Sequence, residues 1–183
     1  MSNQVLDVIS SRRSIRDYSP EALTKEEVQA LVDAALIAPS AMNVQPWHLT
    51  VANDRKVVLE MEQDVVDFFV KTGQAETAAR IASRNNKIFY DAATVFFISM
   101  KPGAGMDVGI MAQSIALAAK SMGLDSVILG LPGVVFGAEK AEYWKEKLLF
   151  PAGYEYGIAV AVGHGTMAGV DRERDYSKVS YIG

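Results

Sequence analysis

Arg12, Arg13, Ser14 and Arg16 fall within five residues of this 183-residue chain. Guanidinium forks and a hydroxyl match a phosphate monoester, which carries close to two negative charges and several acceptor oxygens. A short basic run is also a common solvated surface, so the spacing leaves both readings open. Arg172 and Arg174 form a second pair near the C-terminus. Alternate residues of an extended segment point the same way, so the pair could converge on one anion. Asp171, Glu173 and Asp175 lie beside them, and pairing with these carboxylates is the competing reading.

A second group lies in Ala38-Pro39-Ser40-Ala41-Met42-Asn43-Val44-Gln45-Pro46-Trp47. Its two prolines fix backbone torsions and stiffen a loop. Asn43 and Gln45 offer both donors and acceptors, as the edge of a heteroaromatic ring does. The alternative is a helix-stop loop whose amides satisfy their own backbone while Trp47 fills core. The chain has two histidines. His48 follows Trp47 in strand-like sequence, which suits a structural role. His164 sits between two glycines, where it either lines a site or is solvated. Two histidines without a suitable carboxylate pattern give no metal site. No Ser-His-Asp arrangement follows from the spacing. No catalytic side chain is assigned.

Several elements must position these groups. Val5, Val8 and Ile9 predict a short amphipathic helix ending near Arg12. Thr24 and Glu27 form a capping-box pattern. Val28, Leu31, Val32 and Ala35 then fall on one helical face that Pro39 ends. Trp47–Ala52 reads as a strand, Val57–Val70 and Thr77–Phe89 as helices, and Thr94–Met100 as a buried strand before Pro102-Gly103. Asp107–Met122 is a helix apolar nearly all round, expected to be buried on most sides, with Gly123 closing it. Ser126–Leu129 is a short strand, Ala138–Leu149 a late helix and Tyr154–Val162 the last core strand. The tail from Ala168 is polar. Strands and helices mix without a regular βαβ rhythm, which favours α+β.

Half of the residues are hydrophobic, enough for a substantial core. The net charge of −4 implies no general nucleic-acid surface, so any anion site is local. There is no cysteine, which removes disulfides and thiolate chemistry and suits a reducing, cytoplasmic setting. Met1–Ser11 lacks a long apolar stretch. Val108–Ala119 is too short for a bilayer, which needs about 20 apolar residues. It serves either as the core helix of a monomer or as the seam of a two-fold dimer.

Four motifs in chain order resemble the nitroreductase family of FMN-dependent NAD(P)H oxidoreductases. Ser11-Arg12-Arg13-Ser14-Ile15-Arg16-Asp17-Tyr18 resembles the family's flavin-phosphate motif. Ala38-Pro39-Ser40 with Asn43-Val44-Gln45-Pro46-Trp47 resembles its most diagnostic one. Gly123-Leu124-Asp125-Ser126 and the turn after it resemble its flavin-N5 loop, and Arg172-Glu173-Arg174 its C-terminal basic pair. The resemblance covers nearly the whole chain. It implies an α+β, three-layer fold over one domain, residues 1–183, with a central mixed or antiparallel sheet flanked by helices. It also implies an intertwined homodimer with FMN at the subunit interface.

By this resemblance Arg12, Arg13 and Ser14 hold the FMN phosphate and ribityl side, with Arg172 and Arg174. Arg16 reaches the N1–C2=O edge, where a cation stabilises charge that develops on reduction. Pro39, Ser40 and Ala41 come from the partner subunit. Asn43 either touches flavin or braces its loop. Asn85 either pairs with the pyrimidine edge or sits on a helix surface. Leu129 and Gly130 fall beside N5, with the Gly130 N–H as donor. Ile128 departs from the family pattern and leaves that register open by one residue. The implied reaction passes hydride from NADH or NADPH through flavin to a nitroaromatic, quinone or similar small conjugated acceptor, in ping-pong order. The cofactor carries the chemistry. The same resemblance admits dehalogenation, flavin fragmentation, ring dehydrogenation, or FMN storage without turnover.

Overall fold

A computed structural model describes residues 3–183; the first two residues of the Met1–Ser11 stretch lie outside the described residues. The elements run α1 (Gln4–Ser11), α2 (Lys25–Leu36), β1 (Trp47–Ala52), α3 (Arg55–Lys71) and α4 (Ala75–Ala82). They continue with β2 (Thr94–Met100), α5 (Gly105–Ser121), β3 (Asp125–Leu129), α6 (Ala141–Lys147) and β4 (Glu155–Gly163). The strands form one antiparallel sheet in the order β1-β2-β4-β3.

Helices cover both faces of the sheet, so β2 is buried along almost its whole length instead of alternating. On one face Val95, Phe97, Ala159, Ala161 and Val127 pack against α3, α4 and α6 through Met61, Val65, Ile81 and Trp144. On the other, Phe96, Ile98, Val160 and Val162 pack against Leu31 and Ala35 of α2 and Met111 and Ile115 of α5. The result is the expected three-layer α+β arrangement.

The capping box of α2 forms as read: Glu27 N–H donates to the Thr24 hydroxyl and Thr24 N–H to the Glu27 carboxylate. Gly123 follows α5 at φ 79°, in the left-handed region that glycine enters without penalty.

Two elements depart from the sequence reading, and a third bears on a reading the sequence left open. The helix expected over Thr77–Phe89 stops at Ala82. Asn85 and Asn86 turn left-handed, at φ 54° and 59°. Downstream, the Ile88 and Phe89 N–H groups are taken by the Glu62 carboxylate instead of a helical ladder. The late helix is shorter than Ala138–Leu149 because Leu149 is left-handed at φ 58°. Finally, α5 buries Val108, Met111, Ala112, Ile115 and Ala119 but leaves Met106, Ile110 and Gln113 exposed. Within one chain this helix is open on a strip, and α1 beside it exposes Val5, Leu6 and Ile9.

Helix α5 crosses β4 where β2 and β4 shift register between Ile98 and Ser99. Gly157 lies there, and a Cβ would come 2.8 Å from the Ile98 carbonyl oxygen and 2.9 Å from Val108 Cγ1. Backbone cannot step aside cheaply, so Gly157→Ala is expected to cost about 1–3 kcal/mol, read as a lowered Tm in calorimetry.

Candidate functional site

The two arginine groups, 156 or more residues apart in sequence, are stitched together along one edge of the sheet. Strand β3 is an edge strand. Its Ser126 carbonyl accepts the Ile15 N–H at 3.1 Å, and Ser14 bridges Ser126 in parallel. The segment carrying Ser14 and Arg16 therefore docks on the open side of β3. This parallel bridge is the sheet's one mixed feature among the described residues.

Residues 164–171 then run antiparallel along residues 13–19. Ser19 N–H donates to the His164 carbonyl at 2.9 Å, Tyr18 bridges Gly165, and Thr166 N–H donates to the Asp17 carbonyl at 3.1 Å. The Thr166 hydroxyl also bonds the Asp17 carboxylate at 2.6 Å. The run ends where Arg13 Nη2 meets Asp171 Oδ1 at 2.8 Å. The approach is close enough that a Cβ on Gly169 would lie 2.3 Å from Arg13 Cβ. Arg172 leaves this ion pair directly beside the Arg12–Ser14 segment.

Hydrogen bonding divides the arginines. Arg13 is spent on structure: besides Asp171, its Nη1 donates to the Ser10 and Arg12 carbonyls. Arg12, half-buried, has no hydrogen-bond or ion-pair partner for its guanidinium among the described residues, and the same holds for Arg172 and for the Ser14 hydroxyl. Arg16 is exposed and reaches only the Ser14 carbonyl, at 3.3 Å. Arg174 bonds the Arg172 carbonyl and no carboxylate. Two of the three carboxylates that competed for the C-terminal pair are engaged elsewhere, Asp171 by Arg13 and Asp175 by Ser177 and Lys178, while Glu173 stands exposed between the two arginines.

The Leu129–Gly130 turn caps the same edge of β3. Gly130 is not forced to be glycine by the fold: its φ is −84°, and a Cβ would meet only Ile158 Cδ1 at 3.9 Å. Its bare backbone faces off the sheet edge instead. The loop over residues 83–91 comes near Asp17 and Tyr18. Asp91 holds Lys87 in an ion pair and draws Arg55 to 2.6 Å. The hydrogen bond that Lys87 donates to Asp91 is the main cause that raises the Lys87 pKa, and the more distant Asp17 charge adds to it. Burial raises the Tyr18 hydroxyl pKa, with Asp125 and Tyr90 adding to the rise. Asn85 stands exposed in this loop, its side chain without a partner among the described residues. The helix-surface alternative for Asn85 is set aside because the helix ends before it.

The Pro39–Gln45 loop is elsewhere. It feeds β1, the opposite edge of the sheet from β3. Three strand spacings separate those edges, about 14 Å. The loop braces itself: Gln45 N–H donates to the Ser40 hydroxyl and Gln45 Nε2 to Asn43 Oδ1, both at 2.9 Å. Met42, Asn43 and Gln45 are all left-handed, strain that a merely connecting loop does not need. Pro39 and Ala41 are exposed, Ser40 half-buried, and Trp47 fills core. His48 lies within β1. His164 is 4.0 Å from Glu21 and its carbonyl serves the stitch.

Sequence reasoning missed Asp171 as the arginine anchor, and Lys87. The Lys87–Asp91 spacing of four was the available signal. Asp171 had none, because its partner is 158 residues away.

The open edge of this α+β sheet gathers unpaired arginines, a hydroxyl and a bare glycine turn, donors whose chemistry suits an anion. The comparisons sharpen the class. The model of the Nitroreductase family matches residues 9–164, and the chain belongs to that family. A nitroreductase with bound FMN from Desulfitobacterium hafniense superposes with a TM-score of 0.95 at 34% identity, over 100% of both chains. An Archaeoglobus fulgidus protein provisionally named an NADH dehydrogenase/NAD(P)H nitroreductase is 42% identical over 60 residues, 33% of this chain and 34% of the relative. The match thus spans about a third of that curated relative's length. Iodotyrosine deiodinase 1 of Rattus norvegicus is 28% identical over 116 residues, 58% of this chain and 40% of the relative.

Proposed function

We propose that the chain is an FMN-dependent NAD(P)H oxidoreductase that passes hydride through flavin to a conjugated acceptor such as a nitroaromatic or quinone. The observation that carries this is the open β3 edge, where Arg12, Ser14 and Arg172 lie unpaired beside the bare Gly130 turn. An unpaired, half-buried guanidinium such as that of Arg12 is costly unless an anion completes it, and FMN brings a phosphate of the right charge. The bound flavin supplies the hydride chemistry. Arg12, Ser14, Arg172 and Arg174 hold the phosphate. Arg13 supports them by anchoring the tail, and Arg16 offers its cation to the N1–C2=O edge. Asn85 meets the pyrimidine edge, and Leu129 and Gly130 lie beside N5. No protein side chain has to act as nucleophile or general acid.

The site is shared between two copies. Pro39, Ser40 and Ala41 lie across the sheet from the arginines of their own chain, so they wall the flavin of a partner, with Asn43 bracing that loop. Exposed Met106 and Ile110 of α5, with Val5, Leu6 and Ile9 of α1, supply an apolar seam. The tail adds exposed Val179, Tyr181 and Ile182, which suit wrapping over the second copy. Running as a monomer at micromolar concentration while retaining FMN would refute the shared site.

The deiodinase relative favours one second reading, reductive dehalogenation in the same site. Anaerobic mixing with NADH or NADPH tests the oxidoreductase proposal: the yellow absorbance is expected to bleach within the mixing experiment and return when a quinone or nitroaromatic is added. Flavin that stays oxidised would mark an FMN-storage protein, and recovery only with a halophenol would mark the dehalogenase.

A further inference from the structure

The turn that carries Gly130 is held by a residue that none of the motifs contains. Tyr156, on β4, donates its hydroxyl hydrogen to the Leu129 carbonyl at 2.8 Å. Every peptide bond described is trans, so the Leu129 carbonyl and the Gly130 N–H lie in one plane and point in opposite directions. The strand alternation agrees. The Ser126 carbonyl points off the sheet to Ile15, so main-chain groups two and four residues on point off the same edge. Fixing the Leu129 carbonyl on Tyr156 therefore fixes the Gly130 N–H toward the edge where Ser14 and Arg16 dock.

The Tyr156 ring is itself locked. It stacks on Phe136 with centroids 4.8 Å apart and planes at 17°, and Phe136 stacks on Phe150 at 5.2 Å and 8°. Gly133 lies against one edge of the ring, where a Cβ would come within 3.1 Å of Cδ1 and Cε1. Burial pushes the hydroxyl's pKa up, offset only partly by the Ala159 N–H, which favours the protonated, donating form.

We propose that Tyr156 is a positioning residue for flavin recognition: its hydroxyl holds and polarises the Leu129–Gly130 peptide so that the Gly130 N–H is aimed at N5 of the ring. This rests on the reading of the β3 edge as the flavin bed. A carbonyl that accepts a hydrogen bond makes the N–H of the same amide a better donor, so the hydroxyl tunes the contact as well as aiming it.

The test compares FMN with 5-deaza-FMN, in which a carbon replaces N5 and no acceptor remains. The full-length protein is equilibrated with an equimolar mixture, and the bound flavins are quantified after gel filtration. Wild type is expected to retain FMN over the deaza analogue. Tyr156→Phe keeps the ring stack and deletes the hydroxyl. It is expected to narrow that preference about 2- to 10-fold, the worth of one neutral hydrogen bond, while total flavin loading stays near wild type. An unchanged ratio in a loaded variant overturns the proposal. A wild-type protein that binds both flavins equally also overturns it, yet leaves the flavin bed intact. A protein that takes up neither flavin instead defeats the underlying functional reading. Should Tyr156→Phe not fold, Gly133→Ala brings a Cβ within 3.1 Å of the same ring, which must shift by about a few tenths of an ångström, and keeps the hydroxyl. It is expected to narrow the ratio in the same direction, and an unchanged ratio there overturns the proposal.

Discussion

Glu62→Leu is expected to destabilise the protein by about 2–5 kcal/mol, whereas Glu62→Gln folds with near-normal stability. Glu62 projects from α3 into the core and is only 8% exposed. Its Oε1 accepts the N–H groups of Ile88 and Phe89 at 2.8 and 2.7 Å. Those residues belong to a loop with four left-handed non-glycine residues, Asn85, Asn86, Tyr90 and Asp91, each held against its preference. Leucine would leave two buried donors unpaired, at about 1–3 kcal/mol each. Glutamine keeps a carbonyl oxygen in the same place. Urea unfolding followed by circular dichroism measures both. A Glu62→Leu midpoint equal to wild type would mean that the loop finds other acceptors.

The same residue predicts a pH dependence. Burial raises the Glu62 carboxyl pKa, and the two backbone N–H bonds lower it only in part. The folded protein thus holds this proton more firmly than the unfolded chain does. The group's contribution is fully present below the unfolded value, about 4.3, and is lost as pH rises through the higher folded pKa. Glu62→Gln carries no such charge, so its stability relative to wild type is expected to be greater at pH 8 than at pH 4. A constant difference across that range would contradict the raised pKa. Because the loop also carries Asn85, Glu62→Leu is expected to weaken flavin loading as well.

Arg12→Ala is expected to weaken FMN retention about 10- to 100-fold, the loss of one charge-assisted hydrogen-bonding group at about 1.5–3 kcal/mol. Arg12 is half-buried and has no partner to release within the chain, so its truncation leaves the fold's own bonds in place. Equilibrium dialysis against FMN, with Tm as control, measures the effect. Arg16→Ala is expected to retain FMN but lower its midpoint potential, because the charge that develops on reduction loses its cation. Spectroelectrochemical titration distinguishes the two roles, and equal potentials in Arg16→Ala and wild type would refute the Arg16 assignment. Arg13→Ala acts differently again. It releases Asp171 and with it the tail, so its loss of FMN affinity is expected to vanish in a background already lacking Arg172 and Arg174.

Much of the secondary structure was legible because its signals are local. The Thr24–Glu27 box, the Leu31–Ala35 face and the Thr94–Met100 run each reflect forces acting within a few residues. The helix across Asn85 was misread because apolar spacing persists through Ile88 while the deciding contact, Glu62, comes from 26 residues upstream. The exposed strip of α5 was left open by the sequence for a related reason. An apolar helix shows that burial is required and does not show whether the cover is its own chain or a second copy.

The opening cluster of arginines shows where the boundary lies. The sequence by itself determined only that Arg12, Ser14, Arg16 and the Arg172–Arg174 pair carry groups able to pair with an anion, because charge and fork geometry belong to the side chains. Only the tertiary structure decided which of them are free to do so. The antiparallel stitch of residues 164–171 on residues 13–19 commits Arg13 to Asp171, frees Arg172, and places both groups on the β3 edge beside Gly130. Strand order likewise put Ser40 on the far edge, which no spacing could show. Side-chain chemistry is a property of each residue, but availability depends on hydrogen bonds between residues more than a hundred positions apart, and those exist only in the fold.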